Sequence, residues 1–272
     1  MAVSGIDVSK WQGKIDWKKV KAAGVEFALL RAGYGDTLSY PYQIDPEFER
    51  NYKGCKENSM PVGVYWYSYA TTVEMAQQEA KSCIAALKGK QFEYPIYYDV
   101  EELRIFNSGK TNEIIRAFCS AMEKAGYWVG IYIYRFALEK YVLPEVASRY
   151  AVAVAEYADK CNYKGQYGIW QNSSTWRVDG ISGDVDHDWC YVDYPRLIKE
   201  RGKNGYAPSG EVRVRAKRAL DLFRGTDRPP IDVQYKKGDQ CTVEKTMMVG
   251  SETWGKVKGR EAWLNMADVE TV

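Results

Sequence analysis

The chain has 272 residues, of which 46% are hydrophobic and 27% charged, and its formal net charge is +2. That is the composition of a globular protein long enough for a substantial core. It gives no case for a nucleic-acid partner or a basic membrane-surface segment, and no run of 18 or more apolar residues predicts a transmembrane helix.

Met1 to Gly5 has neither a basic stretch nor an apolar one, so no signal peptide is visible. The expectation is synthesis in the cytosol or a leader absent from this sequence. Ile6-Asp7-Val8-Ser9 predicts a short strand, and Asp16 an N-cap for a helix that stops near Gly24. Glu26 to Gly33 is a largely apolar strand. Pro46 opens a helix that runs to Glu57, since proline suits a first helical turn. Val62 to Tyr67 is the next strand, Val73 to Leu87 an amphipathic helix, and Glu93 to Val100 a strand that ends in acid. The alternation continues with a helix from Thr111, read as its cap, to Ala125, a strand from Tyr127 to Tyr134, and a short helix from Phe136 to Val142. Tyr150 to Tyr157 and Gly168 to Asn172 are strands with little between them. Val185 belongs to a last short strand, and Tyr194 to Lys203 to a closing helix.

Strands apolar on both faces that alternate with amphipathic helices predict a mainly parallel sheet covered by helices. About eight strands in some two hundred residues predict an α/β fold, an irregular (β/α) barrel, with fewer helices in its later half. From about Gly205 the pattern changes. Short alternating runs at Val212 to Arg215, Gln240 to Val243, Thr253 to Val257 and Ala262 to Leu264, separated by tight turns, predict a small all-β barrel. Gly202 to Gly210 has linker composition, so the division expected is a domain at 1–204, a linker at 205–210 and a second domain at 211–272.

The acidic strand end carries the chemistry. Alternate residues of a strand share a face, so Asp99 and Glu101 project together with Cα atoms about 6–7 Å apart. Two carboxylates that close do not ionise freely, which lets an acid and a charged partner coexist near neutral pH. Asp7, Asp99 and Glu101 all fall at or near carboxyl ends of strands, where parallel barrels place functional side chains. A single histidine, His187, argues against a catalytic zinc site and against Ser-His or Cys-His catalysis. Asp184 to Asp188 lacks the glycine and the last glutamate of an EF-hand loop. No metal and no cofactor is expected. The six cysteines, none in a C-x-x-C pair, read as reduced structural thiols.

Gly5 to Gly13, with Ile15-Asp16-Trp17, resembles the opening of family 25 glycoside hydrolases, the Chalaropsis-type lysozymes. Phe27 to Gly35, Asp45 with Phe48, Gly63-Val64-Tyr65, Tyr98 to Glu101, Trp170-Gln171 and Gly180 to Asp186 follow in the family's order, so the resemblance spans essentially residues 1 to 200. It implies hydrolysis of the β-1,4 bond between N-acetylmuramic acid and N-acetylglucosamine of bacterial peptidoglycan, outside the cell. By position Glu101 matches the general acid, Asp99 the partner carboxylate, and Asp7 and Asp186 two further acids at the groove floor. Tyr65 and Gln171 match positions lining the groove, with Tyr34, Tyr132 and Trp11 as further substrate-binding candidates. Two residues depart from the family's pattern: Trp66, where a histidine or other polar ring is usual and a sugar subsite stands to change, and Asp188, where asparagine is common. Residues 211 to 272 are similar to bacterial SH3-like cell-wall-binding modules, with Trp254 and Trp263 as candidate wall contacts. The combination resembles a phage endolysin, released with a holin, or a bacterial autolysin, with a monomer favoured. Asp99 would act as nucleophile or orient the substrate's acetamido group, and both routes retain configuration. A chitinase-like glycosidase, a wall amidase or peptidase, and a non-catalytic cell-wall-binding protein remain as other classes.

Overall fold

A computed structural model describes residues 2–207, 212–225, 230–249 and 252–272, and the chain falls into two units that divide between Pro195 and Arg196. In the first unit strand and helix alternate: β1 (Val3–Val8), α1 (Trp17–Ala22), β2 (Phe27–Tyr34), α2 (Phe48–Glu57), β3 (Val62–Tyr67), α3 (Val73–Leu87), β4 (Ile96–Asp99). Then come α4 (Leu103–Asn107), α5 (Thr111–Lys124), β5 (Val129–Tyr134), α6 (Arg135–Tyr141), α7 (Pro144–Ala147), β6 (Ala151–Ala155), β7 (Ile169–Trp176) and β8 (Val185–Cys190). A further helix, α8 (Tyr194–Glu200), follows.

The eight strands close into one barrel in sequence order. Neighbours from β1 to β7 are parallel, while β8 runs antiparallel to both β7 and β1 and seals the barrel. Parallel neighbours need long crossovers and antiparallel ones do not. No described helix separates β6, β7 and β8, which is the irregularity the thinning of helical sequence predicts.

Alternation within each strand builds two cores. Outward-facing Ala28, Leu30, Val62, Val64, Ile96, Tyr98, Ile131, Ile133, Val152 and Val154 join Ala76, Ala80 and Leu87 of α3 and Ile114, Phe118 and Met122 of α5 in one buried cluster. The inward side is more aromatic: Phe27 stacks on Tyr94 at 4.3 Å. Glycines make room for these rings. A Cβ on Gly5 would sit 2.3 Å from the Phe27 ring, one on Gly63 2.6 Å from Tyr94, and one on Gly130 2.6 Å from Tyr97. Trp66 is fully buried and donates its indole N–H to the Gly35 carbonyl at 3.2 Å. It belongs to the outward core, because Tyr65 and Tyr67 take the alternate face, so its departure from the family pattern is a packing change and not a change of sugar subsite.

Of the two N-caps read from the sequence, Asp16 forms one and Thr111 does not, while Thr72 caps α3 without having been singled out. Asp16 accepts from the Lys19 amide at 3.2 Å, and Thr72 from the Met75 amide at 3.2 Å. The expected Thr111 cap is not one: Lys110 is the N-cap of α5, and the Thr111 hydroxyl donates to the Ile105 carbonyl at 3.3 Å. The preceding α4, which the sequence does not announce, brings that carbonyl within reach.

In the second unit β9 (Val212–Ala216), β10 (Leu220–Phe223), β11 (Pro230–Tyr235), β12 (Gln240–Val249), β13 (Glu252–Val257), β14 (Trp263–Asn265) and β15 (Val269–Thr271) pair as one antiparallel sheet. Its order is β11-β10-β14-β13-β12-β9-β15. Val214, Leu222, Val243, Val257 and Leu264 form its core. Residues 208–210 of the expected linker, and residue 211 after it, lie outside the described residues.

A buried carboxylate ties the helical layer to the carboxyl ends of β3 and β4. Glu79 of α3 accepts from the Tyr98 hydroxyl at 2.5 Å, the Ser68 hydroxyl at 2.9 Å and the Tyr69 amide at 2.8 Å. The Ser68 amide in turn donates to the Asp99 carbonyl at 3.0 Å. Removing the acceptor strands two donors, the Tyr98 hydroxyl and the Tyr69 amide, while the Ser68 hydroxyl keeps the Tyr98 oxygen at 2.7 Å; each stranded donor is worth about 1–3 kcal/mol. Glu79→Ala is therefore expected to lower unfolding stability by about 3 kcal/mol or more in chemical denaturation, while Glu79→Gln, which keeps an acceptor oxygen, loses less.

Candidate active site

Alternation points Asp7 of β1, Arg31 of β2, Tyr65 and Tyr67 of β3, Asp99 of β4, Tyr132 of β5 and Gln171 of β7 into the barrel mouth. They line a cleft of about 320 Å³ with Glu101, two residues past Asp99. Because β8 runs in reverse, its first residues lie at the same mouth, and Asp186 stands directly across from Asp7. Ser9, Gln12 and Trp11 close one side. The turn that carries them is held by a reciprocal cap, in which the Ser9 hydroxyl accepts from the Trp11 amide and the Gln12 side chain from the Ser9 amide. It leaves the Trp11 ring 76% exposed at the rim.

Asp99 is buried, and its Oδ1 has no hydrogen-bond partner. Burial first, and then the neighbouring Glu101 charge, push its pKa well up, while the Arg31 guanidinium opposes them. Arg31 is held by its Nε on Asp45 at 2.8 Å and keeps a buried, unpartnered Nη2. Asp45 also accepts the Lys10 and Glu47 amides at 3.0 and 2.9 Å, so the carboxylate that anchors the guanidinium is itself held by two backbone amides. Glu101 is raised as well, first by burial and then by the charges of Glu102 and Asp186, with the Tyr67 hydroxyl opposing. A pair raised in this way holds a proton at pH values where free carboxylates have lost theirs.

A second pair lies on the floor. Burial is the largest cause of the raised pKa of both Asp7 and Asp186; a hydrogen bond joins the two, adding to the rise at Asp7 and opposing it at Asp186. Gln171 Nε2 donates to Asp7 Oδ2 at 2.6 Å. Its Oε1 accepts from the hydroxyls of Tyr132 at 2.8 Å and Tyr157 at 3.1 Å, which fixes the amide orientation.

The structure thus brings Asp7, Asp99, Glu101, Asp186, Tyr65, Tyr132, Gln171 and Trp11 into one cleft. Tyr34 is not among the lining residues; its ring sits edge-on to Tyr69 at 5.8 Å. In the second unit Trp254 is buried, 5.1 Å from the Phe223 ring, and Trp263 is half-buried with Lys245 over it at 5.7 Å. Arg31, Tyr67, Tyr97 and Tyr157 line the cleft without having been singled out from sequence. Arg31 carried a usable signal, a charge inside the apolar run Phe27 to Ala32. Tyr67 shares a strand face with Tyr65, and Tyr157 gave no signal. His187 faces away from the cleft, between the rings of Trp176 and Trp189, hydrogen-bonded to Ser4 at 2.9 Å and Asn172 at 2.7 Å. The acids in and just before β8 also diverge: Asp184 pairs with Arg177 at 2.8 Å, Asp186 lines the cleft and Asp188 is buried. Among the described residues no group of His, Cys, Asp and Glu is arranged to hold a metal ion, no helix is long and apolar enough to cross a membrane, and all six cysteines are free.

A sequence profile described as glycosyl hydrolases family 25 matches residues 6–181. The Escherichia coli K12 protein YegX is 29% identical over 196 residues, covering 68% of both chains. The autolytic lysozyme of Clostridium acetobutylicum is 27% identical over 187 residues, covering 68% of this chain and 55% of that one. Among solved structures, the modular autolysin LytC of Streptococcus pneumoniae superposes with a TM-score of 0.62 at 30% identity, over 70% of this chain. The chain spans about half of LytC, 47% of its length. LytC has also been solved in complex with a synthetic peptidoglycan ligand.

Asp188 is 1% exposed with a buried, unpartnered Oδ2, and burial followed by the Asp186 charge pushes its pKa well up. A carboxyl raised on folding binds more protons in the native than in the unfolded state. Its stabilisation is complete below the unfolded value near pH 4 and is lost as pH rises through the folded value. Asp188→Asn removes that charge. It is expected to raise stability at neutral pH by about 1–2 kcal/mol and to flatten the decline above pH 4, as read from denaturant titrations at several pH values.

Proposed function

We propose, because this chain belongs to the glycosyl hydrolases of family 25, that it is a peptidoglycan hydrolase cleaving the β-1,4 bond between N-acetylmuramic acid and N-acetylglucosamine. The observation that carries the reading is the Asp99 and Glu101 pair at the barrel mouth, both raised in pKa, with Arg31 as the cation beside Asp99.

Glycoside cleavage needs an acid for the leaving oxygen and a carboxylate to support positive charge at the anomeric carbon. Glu101 takes the first role: it is the less buried of the two and reaches the open side of the cleft. Asp99 takes the second as the carboxylate beside Arg31, the cation that opposes the rise in pKa which burial and the Glu101 charge impose on it. It attacks the anomeric carbon or orients the substrate's acetamido oxygen to do so, with retention of configuration. Asp7 and Asp186 hold the floor through Gln171 and Tyr132. Tyr65 and the exposed Trp11 ring offer surfaces for sugar rings.

Residues 211–272 act in this reading as an SH3-like module that binds bacterial cell wall, and the protein works at the wall as an autolysin or an endolysin. The autolytic lysozyme and the LytC autolysin among its relatives support that placement.

The decisive assay is on purified peptidoglycan, with the Glu101→Gln variant beside the unaltered protein. New reducing ends on N-acetylmuramic acid are expected from the unaltered protein, and a fall of about 10²–10⁴-fold in the variant. Free amines without reducing ends, or an unimpaired variant, would overturn the assignment.

A further inference from the structure

Tyr67 and Glu102 stand beside the acid pair, and neither has a part in the reaction described above. The Tyr67 hydroxyl donates to Glu102 Oε1 at 2.9 Å, and Arg104 Nε holds the other oxygen of Glu102 at 3.1 Å. Tyr67 also lines the cleft within hydrogen-bonding reach of Glu101. One phenolic proton thus has two carboxyl acceptors on consecutive residues. The ring is held in place by packing edge-on to Tyr69 at 5.2 Å, and Arg104 lies over Tyr69 at 4.7 Å.

We propose that Tyr67 and Glu102 are positioning residues for Glu101, forming a hydrogen-bond switch. Tyr67 donates to Glu102 while Glu101 carries its proton, and turns to Glu101 once that proton has gone to the glycosidic oxygen. The inference rests on Glu101 being the acid. In the step itself the Glu101 O–H bond breaks, an O–H bond forms on the leaving oxygen, and the anomeric C–O bond breaks with its electron pair on that oxygen. The Tyr67 O–H bond stays intact throughout. Burial and the facing carboxylates keep the phenol protonated. Arg104 takes up the Glu102 charge when Tyr67 leaves it.

The groups that face Glu101 are Asp99 on β4, Glu102 after it, Asp186 on β8, Tyr67 on β3, Tyr132 and Tyr134 on β5, and Tyr157 after β6. Within this set Tyr67 favours ionised Glu101 and Glu102 disfavours it. The two substitutions therefore act in opposite directions. Tyr67→Phe removes the donor to the new carboxylate, so the basic limb of the kcat–pH profile moves up and the maximal rate falls about ten-fold. Glu102→Gln removes the neighbouring charge and frees Tyr67 for Glu101, so the basic limb moves down. Tyr67→Phe made on the Glu102→Gln background shifts the limb further than it does alone.

The measurement is reducing-end release from purified peptidoglycan across pH for the full chain and these variants, with thermal melting of each. Opposite shifts with native-like melting support the switch. Shifts of the same sign, or a lower rate with an unmoved profile, overturn it and leave Tyr67 a structural residue. Glu101→Gln is run alongside: if that variant stays active, the assignment of the acid fails whatever the Tyr67 profile shows.

Discussion

Like charges confined in a low-dielectric space govern this barrel. Asp7, Asp99, Glu101, Asp186 and Asp188 all stand on its inner side or at its mouth, and each is raised in pKa with burial as the largest cause. Such a set cannot ionise in full without a large electrostatic penalty, so protons stay bound. The arrangement sets four of these acids in two pairs. Asp7 and Asp186 share a hydrogen bond on the floor, while Asp99 and Glu101 face the open cleft, with Arg31 beside Asp99. Retaining protons above the ordinary carboxylate range is a burden for stability and a resource for acid chemistry, and both follow from the same burial.

Arg31 shows how far the surrounding fold is committed to this electrostatic balance. Its guanidinium is anchored by Asp45, which is itself held by backbone amides of Lys10 and Glu47. On the other flank, Glu79 of α3 gathers Tyr98, Ser68 and the Tyr69 amide, and Ser68 grips the backbone of Asp99. The functional strand end is thus clamped from the helical layer on one side and from the first two strands on the other. Side chains set on strands and braced by buried hydrogen bonds keep their geometry better than side chains on loops.

Closure by an antiparallel strand serves both architecture and site. With β8 reversed, Asp186 at its start reaches the mouth that the other strands reach with their ends. The same reversal removes the need for a helical crossover, so the outer face of this seam is filled by side chains, among them His187 between Trp176 and Trp189. That position explains why the single histidine of the chain stands apart from the cleft.

Strand and helix in the first unit were legible because period-2 and amphipathic patterns report burial directly: the residues called for β3 and α3 coincide with those observed. The same alternation placed Asp99 with Glu101 on the inward face, since that geometry is local. Short elements escaped. Helix α4 has five residues and no cap, and β10, β11 and β15 are too short or too polar to stand out. Contacts distant in sequence escaped too. Trp66 reads as a groove residue until the register turns it outward, and Thr111 reads as a cap until α4 supplies another acceptor. Arg31 with Asp45, and Asp7 with Gln171 across 164 positions, depend on which strands become neighbours. The amino-acid sequence by itself determined which residues alternate, which of the longer helices form and which acids share a strand face, because those are set by interactions within a few residues. Tertiary structure alone decided which acids pair, which are shielded from water and which cation answers them, because protonation depends on every charge and every surface brought near by the closed barrel.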